Sequence, residues 1–247
     1  MIIAIAVQKG GTGKTTTAAA LTQAAAYKGL RPLAIDLDPQ GNFSLAMGAQ
    51  ISAETGNSYN MIQGAPAADQ IQRTAQDIEI IPAGRALATL TSGKGSARRL
   101  QEALEPIRGA FDMIVIDTPS IAGELQYNAM QAADRLIIPL QADGYNIQSL
   151  YQTIDTARQI QASNHRLQIG FIITDYDTRT KMSKQVQHIL INKGTEAGAQ
   201  YLGTIRHGVA IGEAALFRES LYKHAPRSNP ARDYIDIFNA ITKNKYI

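Results

Sequence analysis

Short aliphatic and β-branched runs alternate along the chain with longer stretches in which apolar positions recur every three or four residues. The runs predict strands at 2–7, 32–36, 78–81, 113–117, 136–140, 167–174 and 201–205. The longer stretches predict helices at 15–28, 97–107, 124–133, 147–161, 181–193, 209–217 and 231–242. Met113, Ile114, Val115 and Ile116 are apolar without interruption. A strand with one wet face would alternate, so an unbroken run marks a strand covered on both faces. The expected fold is therefore α/β, a mostly parallel β-sheet with helices on both faces. No Pro-, Gly- or Ser-rich linker and no internal repeat divides the 247 residues, so a single domain spanning 1–247 is expected. Residues 50–76 are polar and rich in small side chains and read as a surface excursion with a short helix. Residues 93–99 read as a loop leading into a helix.

Composition narrows the chemistry. Hydrophobic residues make up 45% of the chain and charged residues 18%, which excludes disordered, collagen-like and coiled-coil classes. There is no cysteine, so disulfides, thiolate-bound zinc, iron–sulfur clusters and a cysteine nucleophile are excluded. The four histidines are scattered and form no HExxH pair. No segment reaches the roughly 20 apolar residues that span a bilayer, and the apolar start runs directly into a glycine-rich loop. A cytoplasmic protein acting without a membrane is expected. The net charge is +3, and residues 126–247 carry 14 basic against 10 acidic side chains. That half is compatible with a polyanionic partner or with an ordinary solvated surface.

The first strand is followed by Gln8, Lys9, Gly10, Gly11, Thr12, Gly13, Lys14, Thr15 and Thr16, and then by a helix. Strand, glycine loop, helix is the order a phosphate site needs. Glycines let backbone N–H groups turn inward, and the helix start adds unpaired donors and its dipole. In such a loop Lys14 reaches the β- and γ-phosphates and the Thr15 hydroxyl ligates Mg²⁺. The loop departs from GxxxxGK[ST], because Gln8 stands at the first glycine position and a second lysine, Lys9, follows it. Lys9 either adds charge neutralisation at the same triphosphate or points outward to a phosphate held by another subunit.

Two expected strands end in carboxylates. Asp36 and Asp38, two residues apart in Ile-Asp-Leu-Asp-Pro-Gln-Gly-Asn, lie on one side of a strand end. A carboxylate there can orient an attacking water or hold a metal-bound water. The strand at 113–117 ends in Asp117, which it aims at Mg²⁺ through a water or through Thr15.

The string KGGTGKTT resembles the deviant Walker A loop of the ParA/MinD family of ATPases, DLDPQGN its second motif, and the strand ending in Asp117 its Walker B. The resemblance extends to 170–180 and 205–228 and is weak at 50–110. It implies a P-loop NTPase fold, ATP and Mg²⁺ as cofactors, and ATP preferred over GTP, in keeping with the lack of an NKxD motif. By the match, residues 9–16 (Lys9, Gly10, Gly11, Thr12, Gly13, Lys14, Thr15, Thr16) hold the nucleotide. Lys9, Lys14 and Asp38 are the catalytic set, with Lys9 contacting the partner subunit's nucleotide and Asp38 positioning the water. Thr15, Asp36 and Asp117 are placed at the metal.

The resemblance is to short ParA proteins, without a separate operator-binding domain. It implies an ATP-dependent homodimer, binding to double-stranded DNA without sequence preference, release through hydrolysis stimulated by a ParB-like partner, slow turnover alone, and association with the nucleoid. Arg179, Lys181, Lys184 and Arg206 are the implied DNA contacts. Where many members carry a second arginine, this chain has Ala210. An alternative is a MinD-like or cargo-positioning ATPase on a membrane or protein assembly. The final apolar stripe, Tyr234, Ile235, Ile237, Phe238 and Ile241, is followed only by Lys243 and Lys245, and is expected to pack in the core.

Overall fold

A computed structural model describes residues 1–52, 55–90 and 96–243. Its sheet has the strand order β3-β4-β2-β5-β1-β6-β7-β8. The strands are β1 (Ile2–Ile5), β2 (Pro32–Asp36), β3 (Gln72–Arg73), β4 (Glu79–Ile81), β5 (Met113–Asp117), β6 (Arg135–Gln141), β7 (Gln168–Tyr176) and β8 (Gln200–Arg206). Every pairing is parallel except β3 with β4, which is antiparallel.

The helices are α1 (Lys14–Tyr27), α2 (Asn42–Ala46), α3 (Ser58–Ile62), α4 (Arg99–Leu104), α5 (Glu124–Ala132), α6 (Asn146–Gln161), α7 (Lys181–Glu196), α8 (Ala210–Leu216), α9 (Leu221–His224) and α10 (Asn229–Thr242). Alternate strand residues feed two cores. Ile2, Ala4, Ile114 and Ile116 pack toward α3–α7, and Ile3, Ile5, Met113 and Val115 pack toward α1, α2 and α8–α10. This two-sided burial is what the unbroken apolar runs predict. The apolar side of α10 is also in the core: Tyr234, Ile237, Phe238 and Ile241 are all buried. Lys245 lies outside the described residues.

Several boundaries shift for local reasons. The expected helix at 97–107 begins as a 3-10 turn, Ser96–Arg98, and α4 proper stops at Leu104. Glu105 keeps helical dihedrals and donates to the Gln101 carbonyl, but Pro106 has no N–H to continue the ladder, so the helix ends there. In the same expected loop at 93–99, residues 93–95 lie outside the described residues. Helix α7 runs three residues beyond its expected end, and Gly198, at φ 76°, follows it in the left-handed conformation that closes a helix. Strand β3 is not expected from the sequence at all. It falls in the excursion at 50–76, which also holds α3, capped by the Asn57 side chain accepting from Asn60 N.

Candidate functional site

Strands β2, β5 and β1 are neighbours in the sheet, and their C-terminal ends carry the segments singled out above. Between β1 and α1 the chain turns through Gly11 at φ 74° and Gly13 at φ 89°. A side chain at either position would strain the backbone, so the turn demands glycine. Gly13 caps α1, and the Thr174 hydroxyl at the end of β7 donates to the Thr12 carbonyl at 2.8 Å, bracing the loop from the other side. The first-turn N–H groups of α1 thus stand at the sheet's C-terminal edge, the place where anions bind.

Lys14 is buried, and its Nζ donates to the Lys9 carbonyl at 2.8 Å and to Ser120 Oγ at 2.7 Å. Burial lowers its pKa, and the negative charges of Asp117 and Asp38 oppose that fall. The Thr15 hydroxyl donates to Asp117 Oδ2 at 2.7 Å, and Asp117 Oδ1 accepts from Thr118 N. Helix α1 and strand β5 therefore meet at the pair expected to hold a metal.

Asp36 and Asp117 face each other in the β2–β5 register, and neither is exposed to solvent. Burial pushes the Asp117 carboxyl well above the usual carboxylate range, and Asp36 adds repulsion. Burial also pushes Asp36 up to about 6, against the hydrogen bonds it accepts. Two buried acids beside a threonine hydroxyl form a donor set suited to a hard divalent cation. Thr15 and Asp117 are the residues that fit direct or water-mediated contact with Mg²⁺.

The oxygens of Asp36 are otherwise engaged. Oδ1 accepts from Asp38 N at 3.0 Å, and Oδ2 accepts from Ser44 N at 2.8 Å and Ser44 Oγ at 2.7 Å. Ser44 Oγ in turn accepts from Ala83 N, and the Ser58 hydroxyl donates to the Asp36 carbonyl. Asp36 so holds the loop that presents Asp38. Asp38 itself is half-buried, and its Oδ1 accepts from Gln40 N.

Lys9 is held within its own chain. Its Nζ lies 3.1 and 3.2 Å from the two carboxylate oxygens of Asp143 and 5.8 Å from the centre of the Tyr145 ring. Tyr145 and Ile121, on the loops after β6 and β5, are 84% and 79% exposed.

The four basic residues proposed for DNA differ from one another, and Arg206 lines a cavity that also touches Gly11, Thr12 and Thr16. Lys181 and Lys184 are exposed on the first turn of α7 and form no ion pair among the described residues. Arg179 is exposed, but its guanidinium is paired with Asp177, whose carboxyl it holds well below the usual range. Arg206 binds Asp233 of α10 through Nε at 2.9 Å and Nη2 at 2.6 Å, and its backbone N–H donates to the same carboxylate. Its donors are directed at the protein.

Sequence reading missed Ser44, Ser120, Asp143 and Asp233, which hold the named residues in place. It also missed this open cavity of about 230 Å³ against Gly11, Thr12 and Thr16, lined on its other side by Thr174, Gly208 and Ile211. A threonine or glycine in an irregular segment carries no signal of such a role.

A family model described as an AAA domain matches residues 1–169. The chain is 34% identical over 251 residues to the sporulation initiation inhibitor protein Soj of Bacillus subtilis, covering 98% of each. It is 37% identical over 227 residues to the chromosome partitioning protein ParA of Caulobacter vibrioides, covering 87% of this chain and 84% of that one. Among solved structures, apo McdA of Cyanothece superposes with a TM-score of 0.87 at 22% identity, covering 97% and 98% of the two chains. The septum site-determining protein MinD of Pyrococcus horikoshii, complexed with Mg-ADP, gives 0.79 at 24% identity, covering 99% and 97%. The phosphate loop, the Thr15–Asp117 pair and these full-length likenesses agree, and the chain belongs to the ParA/MinD family of P-loop ATPases, with the Soj and ParA partition proteins as its relatives.

Proposed function

We propose that this chain is a DNA-partition ATPase whose nucleotide state governs pairing of two copies and binding to DNA. The observation that carries the reading is the phosphate loop joined to Asp117 through Thr15, with a second lysine, Lys9, on its outer side. ATP enters with its triphosphate on the loop and the α1 N-terminus and its base in the cavity beside Thr16 and Ile211. Thr15 and Asp117 would hold Mg²⁺, which would supply charge neutralisation at the phosphates. Lys14 exchanges its carbonyl and hydroxyl partners for phosphate oxygens. Asp38, on the loop that Asp36 fixes, orients the water in line with the terminal phosphorus. Lys9 exchanges Asp143 for the nucleotide of a second copy, which docks on the face carrying Ile121 and Tyr145. Opposing that face to itself builds a two-fold sandwich with two nucleotides inside.

The paired form binds duplex DNA through basic side chains of the C-terminal half, among them the exposed Lys181 and Lys184. A ParB-like partner accelerates hydrolysis and so releases the DNA. Burial of the apolar side of α10 supports DNA rather than a bilayer as the matrix.

Hydrolysis of Mg-ATP tests the reading. The parent chain is expected to release phosphate slowly. Lys14→Ala is expected to abolish nucleotide binding. Asp38→Ala is expected to bind ATP, accumulate as a dimer and lose at least about 100-fold in turnover, the usual scale for removing a water-positioning group. An Asp38→Ala chain that hydrolyses ATP at the parental rate would overturn the assignment.

A further inference from the structure

Ser120 sits between the phosphate loop and the loop that follows β5. We propose that its hydroxyl reads the terminal phosphate of the nucleotide, so that this chain distinguishes ATP from ADP partly through Ser120. The inference rests on the ATPase reading above and adds to it a residue that the motif match did not assign.

Ser120 is placed by anchors on both sides of the loop start. The Thr118 hydroxyl donates to the Ile5 carbonyl of β1 at 2.8 Å. The Pro119 carbonyl accepts from Gln126 Nε2 of α5 at 2.7 Å. With those two residues tied to the core, Ser120 is presented to the phosphate loop. Its Oγ accepts from Lys14 Nζ at 2.7 Å and stands 3.9 Å from where a Cβ on Gly10 would lie. It thus lies against both the lysine that reaches the β- and γ-phosphates and the backbone that cradles them.

The donor and acceptor capacities decide the role. A serine hydroxyl can accept from one group while donating its hydrogen to another. In this structure the Ser120 oxygen is occupied by Lys14, while its hydrogen has no acceptor among the described residues. Lysine has three donors and no acceptor, so it cannot take that hydrogen. A phosphate oxygen can. When a triphosphate draws the Lys14 ammonium toward itself, the Ser120 O–H is left facing the newly arrived oxygens as a charge-assisted donor. A nucleotide that ends at the β-phosphate brings no such oxygen to Ser120. The next residue, Ile121, is exposed on the proposed pairing face, so a contact at Ser120 orders that face only when the γ-phosphate is present.

The alternative is that Ser120 merely steadies Lys14. That role would affect ATP and ADP alike, because Lys14 serves both. The test is calorimetric titration of the full chain with AMP-PNP and with ADP, each with Mg²⁺, for the parent, Ser120→Ala and Ser120→Thr, after thermal melts have shown that both variants fold. Ser120→Ala is expected to weaken AMP-PNP about tenfold, the lower end for a hydrogen bond to a charged group. ADP affinity is expected to stay within about twofold, and Ser120→Thr, which keeps the hydroxyl, to recover most of the AMP-PNP affinity. An equal loss for both nucleotides, or no loss for AMP-PNP, would overturn the role of Ser120. A parent chain that binds neither nucleotide would overturn the ATPase reading beneath it.

Discussion

Two carboxylates buried side by side destabilise a protein while both are charged, and Asp36 and Asp117 are such a pair. Both have a pKa above that of an unfolded chain, so between the unfolded and folded values the folded state holds protons that the unfolded state has lost. Stability contributed by these groups is full below about pH 4 and is lost as pH rises through the folded values. For Asp36, moved from 3.8 to about 6, the loss is on the order of 3 kcal/mol. In Mg²⁺-free buffer the melting temperature is therefore expected to fall between pH 4 and pH 7, once the other carboxylates are accounted for, and Mg-ATP is expected to restore it. Asp117→Asn can still accept from Thr118 N and can donate to Thr15, so it should keep the local bonds, flatten the pH slope and abolish the Mg²⁺ response. An unchanged slope in that variant would place the destabilising charge elsewhere. Lys9 gives a second residue-scale prediction. Lys9→Ala should bind ATP as a monomer but fail to pair. Asp143→Ala should free Lys9 and let ATP-dependent pairing occur at a concentration lower by up to about fivefold, the scale of a partly exposed ion pair. Sedimentation velocity reads both. At this scale the sequence was informative wherever chemistry prescribes residue type and spacing, as at 9–16, 36–38 and 117. It was silent on the partners, because Asp143 lies 134 residues from Lys9 and Ser120 lies 106 from Lys14. Such separations are closed only by the fold.

Two elements that both carry arginine or lysine do different work. Strand β8 is clamped to α10 by Arg206 and Asp233, with Asp233 9% exposed. Removing Arg206 leaves that carboxylate nearly buried and unpaired, so Arg206→Ala should cost about 2 kcal/mol, or several degrees of melting temperature. Lys181 and Lys184 stand on the free turn of α7. Changing both to alanine should leave the melt unchanged while weakening DNA binding and lowering its log–log salt slope by about two. If the double lysine variant binds DNA as the parent does, the contact surface is not on α7. The elements themselves were legible in proportion to their burial and length. Strand β5 has core on both faces and reads as an uninterrupted apolar run. Strand β3 is two residues long, polar and at the sheet edge, and nothing in Gln72 and Arg73 announces it. Helices α2, α3 and α9 have four or five residues each, too few for a periodicity. Caps such as Asn57 and Ser220 define two of them instead.

At the scale of the molecule, the strand order explains why distant segments act on one ligand. Strands β2, β5 and β1 are adjacent at the middle of the sheet, so the loops bearing Asp38, Ser120 and Lys14 converge at one edge although residues from 14 to 120 separate them in the chain. The segments after β1 and β5 are tied to each other by two side-chain bonds, Thr15 to Asp117 and Lys14 to Ser120, while Asp36 binds Ser44 within the segment after β2. In the proposed function a γ-phosphate and Mg²⁺ at that edge would change the partners of Lys14, Thr15 and Ser120 together, the kind of local change that can reorganise a whole face. The face carries Lys9, Ile121 and Tyr145, and the proposed pairing through it would bring two basic C-terminal halves into one particle. Doubling the cationic surface in this way would raise DNA affinity without any new contact within a subunit. The most direct test is binding to random-sequence duplex DNA with ATP, with ADP and without nucleotide, across a salt series. Binding with ATP alone, weakening steeply and log-linearly with salt, is the expected result. Equal binding in all three nucleotide states, or none in any, would contradict a nucleotide-gated DNA-binding ATPase.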